Sequence, residues 1–462
     1  MAVRDEALII RIFGKKRFYQ RAWILSFPII IQNFISAFLN MVDTVMVGRL
    51  GETAIAGVGL ANQYFFFFHM FLIGLCAGCS VFIAQFWGVK DIKNIKRMVG
   101  IGLGSVGLVA FFFMGIGYLF PEKIMAVFNN EAEIIELGAK YLKIVLAGYV
   151  FTGITFLYGF SLRSIGNTFQ PMLISAVALL CNAFFNYVFI FGKFGAPAMG
   201  VQGAALATVL ARVIECAALV GSVYWQRGIL AASVRELVDS NFNYIKKAYR
   251  TIFPVVLNDL CWGLAALVYT GVYGRMGSQA VAAIQIVNTV SNLFMVVIYG
   301  ISNAAAVMVG NSIGAGKVRQ GRIYARRFTL LAVVVGVVLG VALALTSPYI
   351  LTCFNVSRVV SDYAQIILYI ISIVFIIRIL DVILITGILR GGGDARYALL
   401  AEGFTMWFIG VPLTILGAFV FKLPVYIVYA LAIVEEIVKG VLSLRRLRSG
   451  RWMKNVTGNI TV

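Results

Sequence analysis

The 462 residues are 61% hydrophobic and only 13% charged, about half the charged share of an ordinary soluble domain. That balance excludes a soluble globular protein and any large attached soluble domain. The net charge of +20 and the six cysteines invite two further readings, a nucleic-acid binder and a disulfide or metal framework, and both fail on placement.

A spanning helix takes about 20 apolar residues. The chain opens on MAVRDEALIIRIFGKKRFYQR, which is charged and runs straight into an apolar segment, so no cleavable secretory signal is expected. In chain order, the apolar runs predict helices 1 to 6 at 22–47, 53–84, 99–119, 134–160, 169–191 and 200–225. Helices 7 to 12 follow at 251–273, 279–309, 328–346, 363–388, 398–421 and 425–444. The expected organisation is an N-terminal segment 1–21, a first lobe 22–225, a polar linker 226–250, a second lobe 251–444 and a tail 445–462.

Placing alternate loops on opposite sides puts 28 Lys and Arg on the side of both termini and 8 on the other. Arg212, Arg378 and Lys439 fall within helices. This is the positive-inside pattern, so both termini are expected in the cytoplasm and the chain in the plasma membrane. The basic clusters Lys15–Lys16–Arg17, Arg326–Arg327 and Arg445–Arg446 then read as topology signals, not as a nucleic-acid surface. Cys76, Cys79, Cys181, Cys216 and Cys261 sit inside apolar runs, where a thiol behaves as a small hydrophobe. Cys76 and Cys79 alone have metal or redox spacing, and their Leu, Ala, Gly and Ser surroundings favour a structural reading.

The chain repeats itself. Residues 47–63, VGRLGETAIAGVGLANQ, lie over 273–289, YGRMGSQAVAAIQIVNT, at a shift of 226 with six identities in seventeen. The same shift pairs Phe27-Pro28 with Phe253-Pro254, and a shift of 227 pairs Leu162-Arg163 with Leu389-Arg390 and Gly166 with Gly393. Two six-helix halves follow. Because six is even, both halves start on the same side of the membrane and form parallel repeats, an arrangement of one class of transporter.

Charges within spanning helices are costly and are functional candidates by default. Asp43 lies near the end of helix 1, and its repeat partner is Tyr269. Asn33, Asn40, Asn182 and Asn186 are polar company in the same half; Asn40 with Asp43, and Asn182 with Asn186, share helix faces. Such a group can hold a proton, a Na⁺ ion or a cationic substrate, or Asp43 can be a plain interfacial acid. In the second half stand Asp259 in helix 7, Arg378 and Asp381 in helix 10, Glu402 in helix 11, and Glu435, Glu436 and Lys439 in helix 12. Arg378 lies three residues before Asp381 and is its expected partner. The i,i+3 spacing of Glu436 with Lys439, and of Arg212 with Glu215, reads as structural pairing. The single histidine, His69, reads as a packed side chain. A Na⁺ ion is a candidate at Asp43 or at Asp259 with Asp381; no other metal and no cofactor is expected.

GAGKV at 314–318 lacks the spacing and the Ser/Thr of an ATP-binding loop. With one histidine and no Gly-x-Ser-x-Gly elbow, enzyme chemistry has no visible carrier. No filter-like ring suggests a channel.

Val42-Asp43-Thr44-Val45-Met46-Val47-Gly48, Gly200-Val-Gln-Gly203-Ala-Ala-Leu-Ala-Thr208 and Leu389-Arg390-Gly-Gly-Gly393-Asp394 resemble signatures of the multidrug and toxic compound extrusion (MATE) family. The resemblance spans nearly the whole chain. It implies an all-α membrane fold of twelve helices in two pseudo-symmetric six-helix lobes, exporting small amphipathic, cationic compounds by alternating access against Na⁺ or H⁺. It also implies that Asp43 is a coupling residue. The chain departs from the family at Asn186, where some members carry an acid, and near Trp262, one turn beyond Asp259, where the family's helix 7 acid lies. The alternative on the same fold is a flippase for lipid-linked precursors. A pseudo-symmetric pair of lobes can work as a monomer.

Overall fold

The computed structural model describes residues 16–354 and 356–458. Residues 1–15 of the expected N-terminal segment, with Lys15 of the first basic cluster, and residues 459–462 of the expected tail lie outside the described residues.

The regular structure of the described residues is helical. Eleven helices are long and apolar enough to cross a membrane: α1 (Lys16–Gly48), α2 (Glu52–Val89), α3 (Ile92–Leu119), α4 (Ala132–Ser164), α5 (Phe169–Phe191), α6 (Gly200–Trp225), α7 (Phe242–Arg275), α8 (Ser278–Gly314), α9 (Val318–Leu351), α10 (Arg358–Leu389) and α11 (Ala395–Val420). The twelfth, α12 (Val425–Ser449), has 25 residues but carries Glu435, Glu436 and Lys439 in its middle.

α5 and α6 begin and end where the apolar runs do. The others extend further, because helix ends beyond the hydrocarbon need not be apolar. α3 starts at Ile92, before the expected 99. Asp91 caps it by accepting from the Asn94 amide at 3.1 Å, and the charged first turn continues the helix into water. α7 likewise reaches back to Phe242, into the stretch read as linker. Two short helices have no apolar run to announce them: Pro121–Ala126, started by its proline, and Val234–Val238, opened by a Ser233–Glu236 capping box. α10 ends in a π-helical stretch, Ile383–Leu389, and α11 contains two more, Met406–Gly410 and Leu416–Val420, on either side of the segment holding Pro412.

Two compact units organise the chain. The first comprises Ile31–Ile83 and Lys90–Ile252; the second comprises residues up to Ile30, Ala84–Val89 and everything from Phe253 onward. The chain thus passes from one unit to the other within α1 near Pro28 and within α7 near Pro254, each a proline that removes a rung of the helical ladder. Stacked rings dominate one part of the first unit's interior. Phe68 lies on Tyr149 at 4.3 Å, and the Tyr64 hydroxyl donates to the Phe113 carbonyl at 2.7 Å. In the second unit α8 is central, with fully buried Ala283, Val287, Ala304, Ala305 and Val309; such small residues allow close approach of helices in lipid.

After α12 the chain folds back on the second unit. Trp452 is fully buried and donates to the Leu447 carbonyl at 3.1 Å. Its ring lies where a side chain at Gly392 would stand, so that position requires glycine. The Lys454 amide donates to Gly392 O at 2.8 Å. Gln85, in the last turns of α2, uses both ends of its amide, donating to Lys454 O at 3.1 Å and accepting from the Val456 amide at 2.9 Å. Buried Asp394 takes Arg446 at 2.7 Å and Lys454 at 2.6 Å.

Candidate functional site

In the first unit α1 presents Asp43 to α5. Asn186 donates to Asp43 Oδ1 at 2.6 Å, and the Asn182 amide fits with its nitrogen toward the carboxylate, 2.8 Å from Oδ2. Their spacing of four puts both amides on one face of α5. Asp43 is half-buried, whereas Asn182 and Asn186 are buried. Asn40 is exposed and stands outside this group. Arg212 is the cation acting on Asp43, and it pairs with Glu215 at 2.7 Å, the expected i,i+3 contact.

Behind this group runs a chain of hydrogen bonds that the sequence reading missed. Arg163 donates to Gln32 Oε1 at 2.7 Å, Gln32 to Ser175 at 2.8 Å, and Ser175 to Glu215 at 2.7 Å. The signal was present in the repeat, which makes Arg163 and Arg390 equivalent positions, but the match alone does not name their partners.

The second unit contains the counterpart. Arg390 donates to Asn258 Oδ1 at 2.7 Å and to Asp259 Oδ1 at 2.6 Å, and Asn258 donates to Glu402 at 2.6 Å. At the repeat shifts, Asn258 corresponds to Gln32 and Glu402 to Ser175. An arginine, an amide on the first helix of the half and an acceptor on the fifth therefore recur in both units, one turn beyond Pro28 and Pro254.

Two expected pairings are corrected. Arg378 does not pair with Asp381; it donates to Glu436 Oε1 through Nε at 2.9 Å and a terminal nitrogen at 2.7 Å. Both nitrogens converge on the one oxygen of Glu436, a charge-assisted contact that α12 places within reach of Arg378. Glu436 is thereby taken, and Lys439 pairs with Glu435 at 3.2 Å, spacing i,i+4. Thr405 also donates to Glu435, at 3.2 Å.

Asp381 is left apart. It is 4% exposed and neither carboxylate oxygen has a protein partner among the described residues. Oδ1 faces Gly440 of α12, 3.0 Å from where a Cβ would stand, and Lys439 is the foremost cation acting on it. Asp259 belongs to the Arg390 group, so the two acids expected to act together sit in different hydrogen-bonded sets. An isolated carboxylate in an apolar interior is costly, and it persists by holding a proton or a cation. The Tyr269 hydroxyl, which replaces Asp43 in the repeat, is also buried without a partner. His69 is packed, stacked on Phe65 at 5.6 Å and edge-on to Phe156 at 5.0 Å. Cys76 and Cys79 are buried free thiols.

Twelve membrane helices in two repeated halves, with buried charge inside each half, define a multi-pass membrane transport protein. More narrowly, the chain belongs to the MatE family, whose model matches residues 28–188 and 254–416, one stretch in each half. It is 26% identical over 433 residues to the probable multidrug resistance protein NorM of Thermotoga maritima, covering 93% of this chain and 92% of that protein. It is 28% identical over 417 residues to the protein of the same name from Bradyrhizobium diazoefficiens, covering 86% and 85%. Among solved structures, the MATE transporter VcmN of Vibrio cholerae superposes with a TM-score of 0.85 at 17% identity, covering 95% of this chain and 98% of that one. A MOP superfamily transporter from Pyrococcus furiosus superposes with a TM-score of 0.82 at 20% identity, covering 96% and 97%. The expected two-lobe, twelve-helix fold is thus the fold of this chain.

Proposed function

We propose that this protein is a secondary active exporter of small, amphipathic organic cations, driven by antiport of Na⁺ or H⁺ with alternating access. The observation that carries the reading is Asp381, a buried acid whose carboxylate oxygens have no hydrogen-bond partner among the described residues. Antiport needs cargo and driving ion to compete for the same negative charge, so that occupancy by one weakens the other. Asp381 supplies such a charge in the second unit. Asp43 supplies another in the first, a half-buried carboxylate held by amides from Asn182 and Asn186 and open to an incoming cation or proton. Asp259, tied to Arg390, positions the surrounding helices. The relatives' names, probable multidrug resistance proteins, support small organic cargo. Both termini in the cytoplasm of a plasma-membrane monomer complete the proposal, on the positive-inside pattern.

A flippase for lipid-linked precursors would need cationic surroundings for phosphates. Arg378, Arg390 and Lys439 of the second unit stand among Asp259, Asp381, Glu402, Glu435 and Glu436, which runs the other way.

The test is dye efflux from proteoliposomes under an imposed Na⁺ gradient or an imposed H⁺ gradient, applied separately. One gradient drives efflux and Asp381→Asn abolishes it. Full efflux by Asp381→Asn, or no response to either gradient in the unaltered protein, overturns the antiporter.

A further inference from the structure

Exposed apolar side chains on the spanning helices are accounted for by lipid. The segment joining α6 to α7 is different: it lies at the helix ends, yet Trp225 is 90% exposed, Val234 78%, Val238 72% and Phe242 77%. Trp225 ends α6 and Phe242 begins α7. Val234 and Val238 stand one turn apart on the short helix between them and share a face.

The acids of the segment point elsewhere. Glu236 accepts from Lys96 at 2.8 Å, and Asp239 takes Arg97 at 2.7 Å and Lys93 at 3.7 Å, all from the first turns of α3. The Leu237 carbonyl lies against Gly100, in the space a Cβ would fill. This clasp fixes the segment on α3 with both carboxylates neutralised. Basic residues remain at the surface: Arg227, Arg235, Lys246 and Arg250 are exposed. A cleft of about 530 Å³ opens at Arg227, lined also by Lys96, Tyr224, Gly228 and Ser233 among others.

We propose that the α6–α7 segment is an interfacial anchor that binds an anionic phospholipid. Trp225, Val234, Val238 and Phe242 enter the acyl boundary, and Arg227 holds the phosphate in the cleft. Three observations point to lipid as the occupant. The segment joins two helices where they leave the membrane, so a bilayer surface already adjoins its exposed face. An apolar stripe ringed by Lys and Arg is the pattern of segments lying in an anionic interface. Within the segment itself both acids, Glu236 and Asp239, are held in ion pairs on α3, and Asp91 at the start of α3 is held by Asn94. Trp at a helix end is itself a usual interface residue. The proposal stands independently of the transport reading.

The experiment uses the full chain in detergent micelles supplemented with phosphatidylglycerol or phosphatidylcholine, and reads retained lipid by native mass spectrometry with thermal unfolding alongside. The unaltered protein retains phosphatidylglycerol in preference. Arg227→Gln lowers that retention roughly five-fold, the scale of one basic group near an anionic surface, while Arg227→Lys restores it. Val234→Ser with Val238→Ser lowers retention of both lipids. The side chains are exposed, and an unchanged circular dichroism spectrum verifies folding. Equal phosphatidylglycerol retention by the unaltered protein and Arg227→Gln overturns the proposal. So does stabilisation by inorganic phosphate equal to that by the lipid, which makes the cleft a free-anion site. Conversion of an oligomer to a monomer by the Val234→Ser, Val238→Ser variant also overturns it, because a second copy then covers the stripe.

Discussion

In the first unit, Arg163 holds Gln32, which holds Ser175; in the second, Arg390 holds Asn258, which holds Glu402. Arg212 and Lys439 are likewise equivalent positions. The acids do not follow the repeat: Asp43 faces a tyrosine in the other half, and Asp259 an asparagine. In the first unit the named interior cations Arg163 and Arg212 balance Asp43 and Glu215. In the second, Arg378, Arg390 and Lys439 face Asp259, Asp381, Glu402, Glu435 and Glu436. The hydrogen-bonded scaffold repeats and the charge does not, so what distinguishes the units is their balance of acid and base.

The largest expected effect separates the two arginine anchors. Arg390→Met leaves Asp259 without its ion-pair partner and costs ~3–5 kcal/mol, the usual penalty for breaking a buried pair. Arg163→Met breaks a hydrogen bond to a neutral amide and costs ~1–3 kcal/mol. Denaturant unfolding in mixed micelles measures both, and equal costs would remove the asymmetry argued here.

Asp381 and Asp43 sharpen the comparison. Asp381→Asn removes an unpartnered carboxylate, and is expected to raise stability by ~1–3 kcal/mol while abolishing gradient-driven efflux and any cation dependence of the Tm. Asp43→Asn, in a site already supplied with amide donors, is expected to lower efflux about tenfold, equivalent to ~1.4 kcal/mol, and to keep the cation dependence of the Tm. A Tm response to cation that vanishes with Asp43→Asn and survives Asp381→Asn would reverse the assignment of the two units.

Gly392→Ala tests the tail on the second unit. Its Cβ collides with the buried Trp452 ring and costs ~1–3 kcal/mol by overpacking; Gly104→Ala in the first unit, where a Cβ meets open space, serves as the comparison in the same unfolding assay.

The smallest effect is at the α3 clasp. The Lys96 ammonium beside Glu236, and the Arg97 guanidinium beside Asp239, hold both carboxyls below their usual values of 4.5 and 3.8. Lowered carboxyl pKa values make the clasp fully favourable above those usual values, and its contribution fades as pH falls through the lowered ones. Amide exchange at Ser233–Val238 should therefore be flat from neutral pH down to about 5 and show extra opening below 4, after correction for the intrinsic rate. Extra opening already at pH 6 would contradict the ion pairs.

Twelve helices and two halves were legible because hydropathy and the repeat act over whole segments, and α5 and α6 were located to the residue between loops rich in Gly and Pro. The starts of α3 and α7 were not, because charged turns such as Lys93–Arg97 look like loop until a cap such as Asp91 is seen to hold them. Asp43, Asn182 and Asn186 were brought together correctly, since two share a helix face and the third is an isolated acid. Arg378 and Lys439 were misassigned because same-helix spacing says nothing of the carboxylates on the neighbouring helix. Arg163, Gln32 and Ser175 went unseen because each is unremarkable alone and their grouping exists only in three dimensions.

The grip of Gln85 on Lys454 and Val456 has a consequence for how the molecule is made. The amide and its partners lie up to 371 positions apart in the chain, and helices of the first unit emerge from the ribosome long before the last strand of tail. The first unit is complete once residue 252 has been inserted, whereas the second needs Ile30, the end of α2 and residues beyond Trp452 together. Closing so long a loop is entropically slow. Completion of the second unit therefore follows that of the first, because it waits for residues beyond Trp452.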